Sequence, residues 1–401
     1  MNQMGVSWQR AVVWAGIPLL IGALNEFALY VALPSLQRDS RIDVGNVGWI
    51  FLAFLIADAA VLIAAGRVGD RFGRRKTAAA GLVVAILGSV VCLVAANFPL
   101  LIVGRIVEGL GVGILFSGLL AIIADAAPAQ SRGRAFGLWA FIGAIAVVAS
   151  PVIGGVLAEY ASWRWIFGLN ALIGIVALVT LRSCIPHKAS ASTAASHSTS
   201  RLLSSTNYFA GTAVITVVYA AIAFTWLLLV FFLTSVQGLR PTVIGLTFLA
   251  YGLWWLILTP FTGRLADRIG SRPLMLIGSG LGAVGYLVLV LASSHPQEFL
   301  IVLGLSLISI GVTLVVPATN AVTMSQVPPE LRGAASGVNM TSRIIGSIAG
   351  LVVSATLLES LQPNDIASSA QVTWSCAIGT MLIAFAIAAF FIRSGAKAQA
   401  R

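Results

Sequence analysis

Twelve mostly apolar stretches, each near or above the length of about 20 residues that a helix needs to cross a bilayer, run through this chain of 401 residues. They cover approximately 11–36, 47–66, 77–97, 100–124, 135–158, 164–184, 207–235, 242–263, 273–293, 297–323, 335–360 and 370–393. Hydrocarbon offers no partner for a backbone N–H or C=O, so each stretch must satisfy its own polar groups as a helix. Composition excludes the water-soluble alternative. Charged residues are 9% of the chain, against about 25% in soluble domains, too few to clothe a wet surface. The expected fold class is an all-α polytopic membrane protein with twelve transmembrane helices.

A net charge of +11 would suit a nucleic-acid binder, but the positions of the charges exclude that partner. With the N-terminus inside, Arg67 to Lys76, Arg132, Arg134, Arg182, Lys188, Arg201, Arg264, Arg268, Arg272, Arg332, Arg393, Lys397 and Arg401 share one side. Arg38, Arg41, Arg164 and Arg240 lie on the other, the first two offset by Asp39 and Asp43. That asymmetry follows the positive-inside rule and makes both termini cytoplasmic. The expected location is the bacterial inner (plasma) membrane. The first apolar stretch is too long for a cleavable signal peptide and carries Asn25 and Glu26. Cys92, Cys184 and Cys376 have no metal-ligand spacing, and His187, His197 and His295 fall in loops. No enzyme, metal site or cofactor is expected.

The chain repeats itself. Residues 66–76 read GRVGDRFGRRK, and residues 263–272 read GRLADRIGSR. Six of ten positions agree: Gly66, Arg67, Asp70, Arg71, Gly73 and Arg75 match Gly263, Arg264, Asp267, Arg268, Gly270 and Arg272. A second pair, PAQSRGRAFG at 128–137 and PPELRGAASG at 328–337, recurs at almost the same offset. Two motifs at nearly one offset imply two six-helix bundles related by pseudo-two-fold symmetry about an axis along the membrane normal. The expected division is an N-terminal bundle at 1–184, a Ser/Ala/Thr-rich cytoplasmic linker at 185–206 and a C-terminal bundle at 207–401. The substrate path is expected between the bundles. The glycines predict a tight turn between two helices at each motif, with Arg74 beside the first. Gly66, Asp70, Arg71, Gly73, Arg74, Gly263, Asp267 and Arg268 are the candidate cytoplasmic gate.

The duplicated motif, the twelve helices and the central linker resemble the major facilitator superfamily over nearly the whole chain. Within it the chain is similar to the drug/proton antiporters. LNEFALYVALP at 24–34 and WRWIFGLN at 163–170 resemble segments of the group with fourteen helices, although this chain has room for only twelve. LIVGRIVEGLG at 101–111 resembles a fourth-helix motif centred on Arg105, with Glu108 where a Gln is usual. GAIAVVASPVIGG at 143–155 resembles the fifth-helix antiporter motif, here carried by Gly143, Pro151, Gly154 and Gly155, with Ser150 in place of a Gly. Asn25 stands where the resemblance expects an acid, and Glu26 follows, rotated by about 100° on a helix. The resemblance implies alternating access without a cofactor, by a protein acting as a monomer on a small-molecule substrate and protons.

Ionisable side chains in spanning helices cost at least about 2.5–3.5 kcal/mol and face the bundle interior. Glu26, Asp58, Arg105 and Glu108 are the candidates for proton coupling and substrate charge, and Arg343 is a fifth intramembrane charge. Arg105 and Glu108, spaced i,i+3, either neutralise each other or tune a nearby carboxylate and so couple protonation to conformation. Asp58 either loads a proton or bonds a neighbouring helix. Glu26 has no partner on its own helix and is the preferred proton or cation site. Asn25, Tyr30, Phe116, Trp139, Tyr219, Trp226, Tyr251, Trp254, Asn320, Asn339 and Arg343 are candidate cavity residues, with lipid-facing belts as the competing role for the aromatics.

The leading expectation is proton-coupled antiport, exporting small amphipathic or cationic compounds. The alternative is a proton-coupled carrier of one metabolite, an organic anion held by Arg105 and Arg343. A non-transporting receptor is the reading from a different class, and the duplicated motifs and buried charges speak against it.

Overall fold

The computed structural model describes residues 8–128, 131–184, 206–295, 297–325, 327, 332–360 and 366–392. Among them helices and short turns account for the backbone, and no strand occurs. The first six long helices are α1 (Trp8–Ser40), α2 (Trp49–Phe72), α3 (Arg74–Leu93), α4 (Phe98–Ala126), α5 (Arg132–Tyr160) and α6 (Arg164–Cys184). The next six are α7 (Thr206–Ser235), α8 (Pro241–Thr247 continued by Leu249–Ile269), α9 (Ser271–Ser294), α10 (Glu298–Ser325), α11 (Arg332–Ser360) and α12 (Ile366–Phe390). Eleven are long and apolar enough to cross a membrane. The twelfth, α2, continues past its apolar part into the charged residues of the first motif.

That continuation corrects one expectation. Residues 66–72 and 263–269 are the last turns of α2 and α8, not turns between helices. The reversal falls on one residue each time, Gly73 at φ 96° and Gly270 at φ 84°. Only glycine tolerates that backbone readily. Gly73 N–H donates to Gly69 O and Gly270 N–H to Ala266 O, so both copies close their helix in the same way. In the second pair of motifs the described part of each copy opens a helix: α5 starts at Arg132 and α11 at Arg332.

By their contacts the residues fall into two units. One comprises 1–194 with 240–246, and the other 195–239 with 247–401. Within the first, α1 packs on α5, α6 and α4, α3 on α4 and α6, and α2 on α4. The second repeats that plan six helices later: α7 on α11, α12 and α10, α9 on α10 and α12, and α8 on α10. The sequence repeat is thus a repeat of packing. Segment 240–246, the start of α8, groups with the first unit. There Glu159 Oε2 accepts from Thr242 N–H at 3.0 Å, and Gly155 and Gly245 bring the backbones of α5 and α8 into contact.

Close backbone packing joins α3 to α4. A Cβ on Gly88 would overlap the backbone of Glu108, and one on Gly111 would overlap Ala85. Gly278, Gly311, Gly285 and Gly304 do the same between α9 and α10. Small residues that let backbones approach are the usual glue where lipid removes any hydrophobic drive.

Candidate functional site

The apolar interior of the first unit contains one concentrated polar centre. Arg105 and Glu108 on α4 are both 0% exposed, and Arg105 Nη1 donates to Glu108 Oε2 at 2.7 Å. Arg105 also donates to Asn25 Oδ1 through Nη1 and to Ile50 O through Nε at 2.9 Å. Its guanidinium carbon lies 4.3 Å from the ring centre of Phe54 and 5.8 Å from that of Phe167. Glu108 Oε1 accepts from Ser89 Oγ at 2.7 Å, Asn25 Nδ2 at 3.2 Å and Asn170 Nδ2 at 3.2 Å. Four helices, α1, α3, α4 and α6, therefore converge on one carboxylate. Such a pair needs further hydrogen bonds in an apolar interior, and these meet all but Nη2 of Arg105, which is buried without a partner among the described residues.

Asn25 reaches this centre from a wide turn. Leu24–Ala28 of α1 is π-helical, with Leu29 N–H bonding to Leu24 O. Bulges of this kind inside α-helices recur at functional sites. The turn sends neighbouring residues in different directions. Asn25 is 2% exposed and bonds to Arg105, Glu108 and Ile21 O, whereas Glu26 is exposed and makes no hydrogen bond or ion pair among the described residues. The sequence grouping of Glu26 with Arg105 and Glu108 is thus resolved into two places. The amide joins the sealed pair, and the acid stands apart from it. Across the bundle, Gly154 of α5 lies against the backbone of Ala28, at the end of the wide turn.

Other candidates of the first unit surround this centre. Tyr30 stacks on Phe51 with ring centres 4.0 Å apart. Phe116 packs near Gly22, and Trp139 Nε1 donates to Ala15 O at 2.9 Å. Gly143 faces Leu19, and Pro151 lies inside α5. Asp58 turns a buried Oδ1 without a partner toward Gly113 on α4.

In the second unit Arg343 is partly buried on α11. Its Nη2 donates to Asn320 Oδ1 on α10 at 3.3 Å, and its guanidinium carbon lies 5.3 Å from the ring centre of Tyr219 on α7. Asn339, one turn earlier, donates to Thr323 Oγ1 at 3.0 Å and leaves a buried Oδ1 unpaired. Trp226 and Tyr251 are 2% and 4% exposed, and their rings meet edge to face at 4.8 Å. Trp254 is exposed.

With this duplicated plan in view, the comparisons with known proteins are decisive. The family profile described as Major Facilitator Superfamily matches residues 17–351 and 212–399. The chain belongs to the Major Facilitator Superfamily. Among its relatives is the multidrug resistance protein Stp of Mycobacterium tuberculosis, 27% identical over 416 residues that cover 88% of this chain and 77% of Stp. The riboflavin transporter RibZ of Clostridioides difficile is 22% identical over 368 residues, covering 79% of this chain and 81% of RibZ. In fold the chain is similar to the crystal structure of a D-xylose–proton symporter, with a TM-score of 0.80 over 96% of this chain and 98% of that one, at 16% identity. As a superfamily member it is a multi-pass membrane transporter of small molecules and not an enzyme.

Of the repeated motifs, Gly73 and Arg74 are described in full, and Arg74 pairs with Asp125 at the end of α4. Gly263 and Arg268 are exposed near the end of α8. Gly66, Asp70, Arg71 and Asp267 are helical, and their side chains lie outside the described residues. Sequence reasoning missed Ser89, Asn170 and Gly88. Asn170 had a signal, a lone amide in the apolar run of α6. Ser89 had none, because a serine in a membrane helix usually bonds its own backbone.

Proposed function

We propose that this transporter exports small amphipathic or cationic compounds in exchange for protons. The observation that carries the reading is the contrast at the wide turn of α1, where Glu26 is open and, among the described residues, unpartnered beside the buried Arg105–Glu108 pair. A carboxylate within a spanning helix takes up either a proton or a cationic substrate, and the two compete for it. In this scheme Glu26 exchanges proton for substrate, while Arg105, Glu108 and Asn25 hold α1 and α4 in register around it. Asp58, also unpartnered at Oδ1, is the second candidate proton carrier. The multidrug resistance name of the Mycobacterium tuberculosis relative supports the substrate class, and the chain is taken to act as a monomer in a bacterial inner membrane with cytoplasmic termini.

The test is proton flux in energised inside-out vesicles as lipophilic cations are added. Wild type should release protons on adding several unrelated cations, and Glu26→Gln should not, while remaining folded. A Glu26→Gln variant that pumps a monovalent cation at the parental rate removes Glu26 from the proposal. The second reading is a carrier of one metabolite, an organic anion; the riboflavin transporter among the relatives supports the single metabolite but not its charge. Of its two arginines, Arg105 is already engaged by Glu108, so that reading rests on Arg343.

A further inference from the structure

We infer that the second unit holds a carboxylate-binding subsite centred on Arg343, so that amphipathic organic carboxylates, as anions or zwitterions, are among the compounds carried. The inference rests on the reading of the chain as a transporter of small amphipathic compounds, but not on proton coupling or on the direction of transport.

The two intramembrane arginines differ in one decisive respect. Arg105 is 0% exposed and paired with Glu108 at 2.7 Å. Arg343 is partly exposed, and among the described residues no carboxylate lies within ion-pair distance of it. The sequence explains why. The helices that hold the site, α7, α10 and α11, carry only two acids, Glu298 and Glu359. Glu359 is sixteen residues along α11 from Arg343, and Glu298 is twenty-two residues along α10 from Asn320. At a rise of about 1.5 Å per residue these separations are roughly 24 and 33 Å, far beyond any ion pair.

A guanidinium at this depth without a counter-ion is costly and marks a functional group by default. What surrounds it is a half-built anion site. Asn320 Oδ1 orients the guanidinium through Nη2, which leaves the Asn320 amide NH2 as a further donor. The ring of Tyr219 backs the charge. Nε of Arg343 has no partner among the described residues, so one edge of the fork is unused there. A planar carboxylate matches that fork and forms charge-assisted bonds with it. Because α7 is otherwise apolar, with no charged residue, a ligand that reaches the fork does so best with an apolar body.

The experiment is equilibrium binding to the full chain in nanodiscs of zwitterionic lipid, using 2-naphthoate, its uncharged amide 2-naphthamide, and 2-naphthylmethylammonium as the cationic counterpart. Wild type should prefer naphthoate to naphthamide by about tenfold or more, the scale of a hydrogen bond to a charged group. Arg343→Gln should erase that preference, and Arg343→Lys should keep part of it. Unchanged binding of the cation to Arg343→Gln shows that the variant is folded. Equal binding of naphthoate and naphthamide to wild type overturns the inference, and so does a preference that survives Arg343→Gln. If nanodiscs of phosphatidylglycerol abolish the preference, a lipid phosphate occupies Arg343 and the substrate subsite is wrong. The assay uses no gradient. Its failure leaves proton-driven export standing, and failure of the vesicle assay leaves this subsite standing.

Discussion

Nη1 of Arg105 lies 2.7 Å from Oε2 of Glu108, three residues along one helix, with neither side chain exposed. Breaking a buried pair from one side leaves a stranded charge, at a cost of about 3–5 kcal/mol. Arg105→Gln and Glu108→Gln are therefore each expected to lower the thermal midpoint of the detergent-purified protein sharply. The double variant leaves two neutral amides within the same hydrogen-bonding network, so it should lose less than the sum. Additive losses would show that the two charges are not coupled.

Asn25 bridges the pair by accepting from Arg105 and donating to Glu108. Asn25→Asp restores the acid that the first-helix resemblance leads one to expect, but it removes the donor and sets a second carboxylate against Glu108. Like charges at this distance repel, and the donor is lost as well. At neutral pH the variant should be less stable than wild type, whereas Asn25→Gln, with its polar groups intact but one methylene longer, should lose less. Thermal unfolding of the two variants decides it. An Asn25→Asp protein as stable as the parent would mean that the amide is not bridging.

Much of this was legible before any coordinates. Twelve apolar runs gave the helices, and two motif pairs gave the repeat, because membrane length and duplication leave direct marks in a sequence. The turn at Gly73 is narrower than the motif suggests, because the charged residues 66–72 read as loop although a helix can carry them beyond the apolar part. The site was legible only in pieces. Intramembrane charge singled out Arg105, Glu108, Glu26 and Arg343, but a regular helix cannot anticipate the wide turn at Leu24–Ala28 that separates Asn25 from Glu26. Ser89 and Gly88 were silent, since their role depends on how closely α3 approaches α4.

That approach can be tested at Gly88. A methyl group there would meet the backbone of Glu108, whereas one at Gly379 of α12 meets nothing within 4 Å. Overpacking of this kind costs about 1–3 kcal/mol. Gly88→Ala should lower the thermal midpoint and, by pushing α4 away, weaken the Ser89–Glu108 bond. Gly379→Ala should be neutral or slightly stabilising, as Ala is the better helix former. Equal effects at the two positions would show that α3 and α4 are not in backbone contact.

The two reversing glycines make the last case, because at Gly73 steric crowding can be separated from backbone conformation. A Cβ on Gly73 meets nothing within 4 Å, and the same holds at Gly280 inside α9. The added methyl is therefore harmless at both sites, and any difference must come from φ, which is 96° at Gly73. Residues held in such regions cost about 1–3 kcal/mol. Gly73→Ala should accordingly be destabilised by that amount while Gly280→Ala is not, and Gly270→Ala, at φ 84°, should match Gly73→Ala. The functional consequence follows from position. Gly73 closes the helix that carries Asp70 and Arg71, so relaxing its turn shifts the whole motif rather than any ligand contact. Transport of every substrate should slow by a similar factor in Gly73→Ala, and likewise in Asp70→Asn. A loss confined to one compound in the vesicle assay would count against the motif as a gate and would place it at a binding site instead.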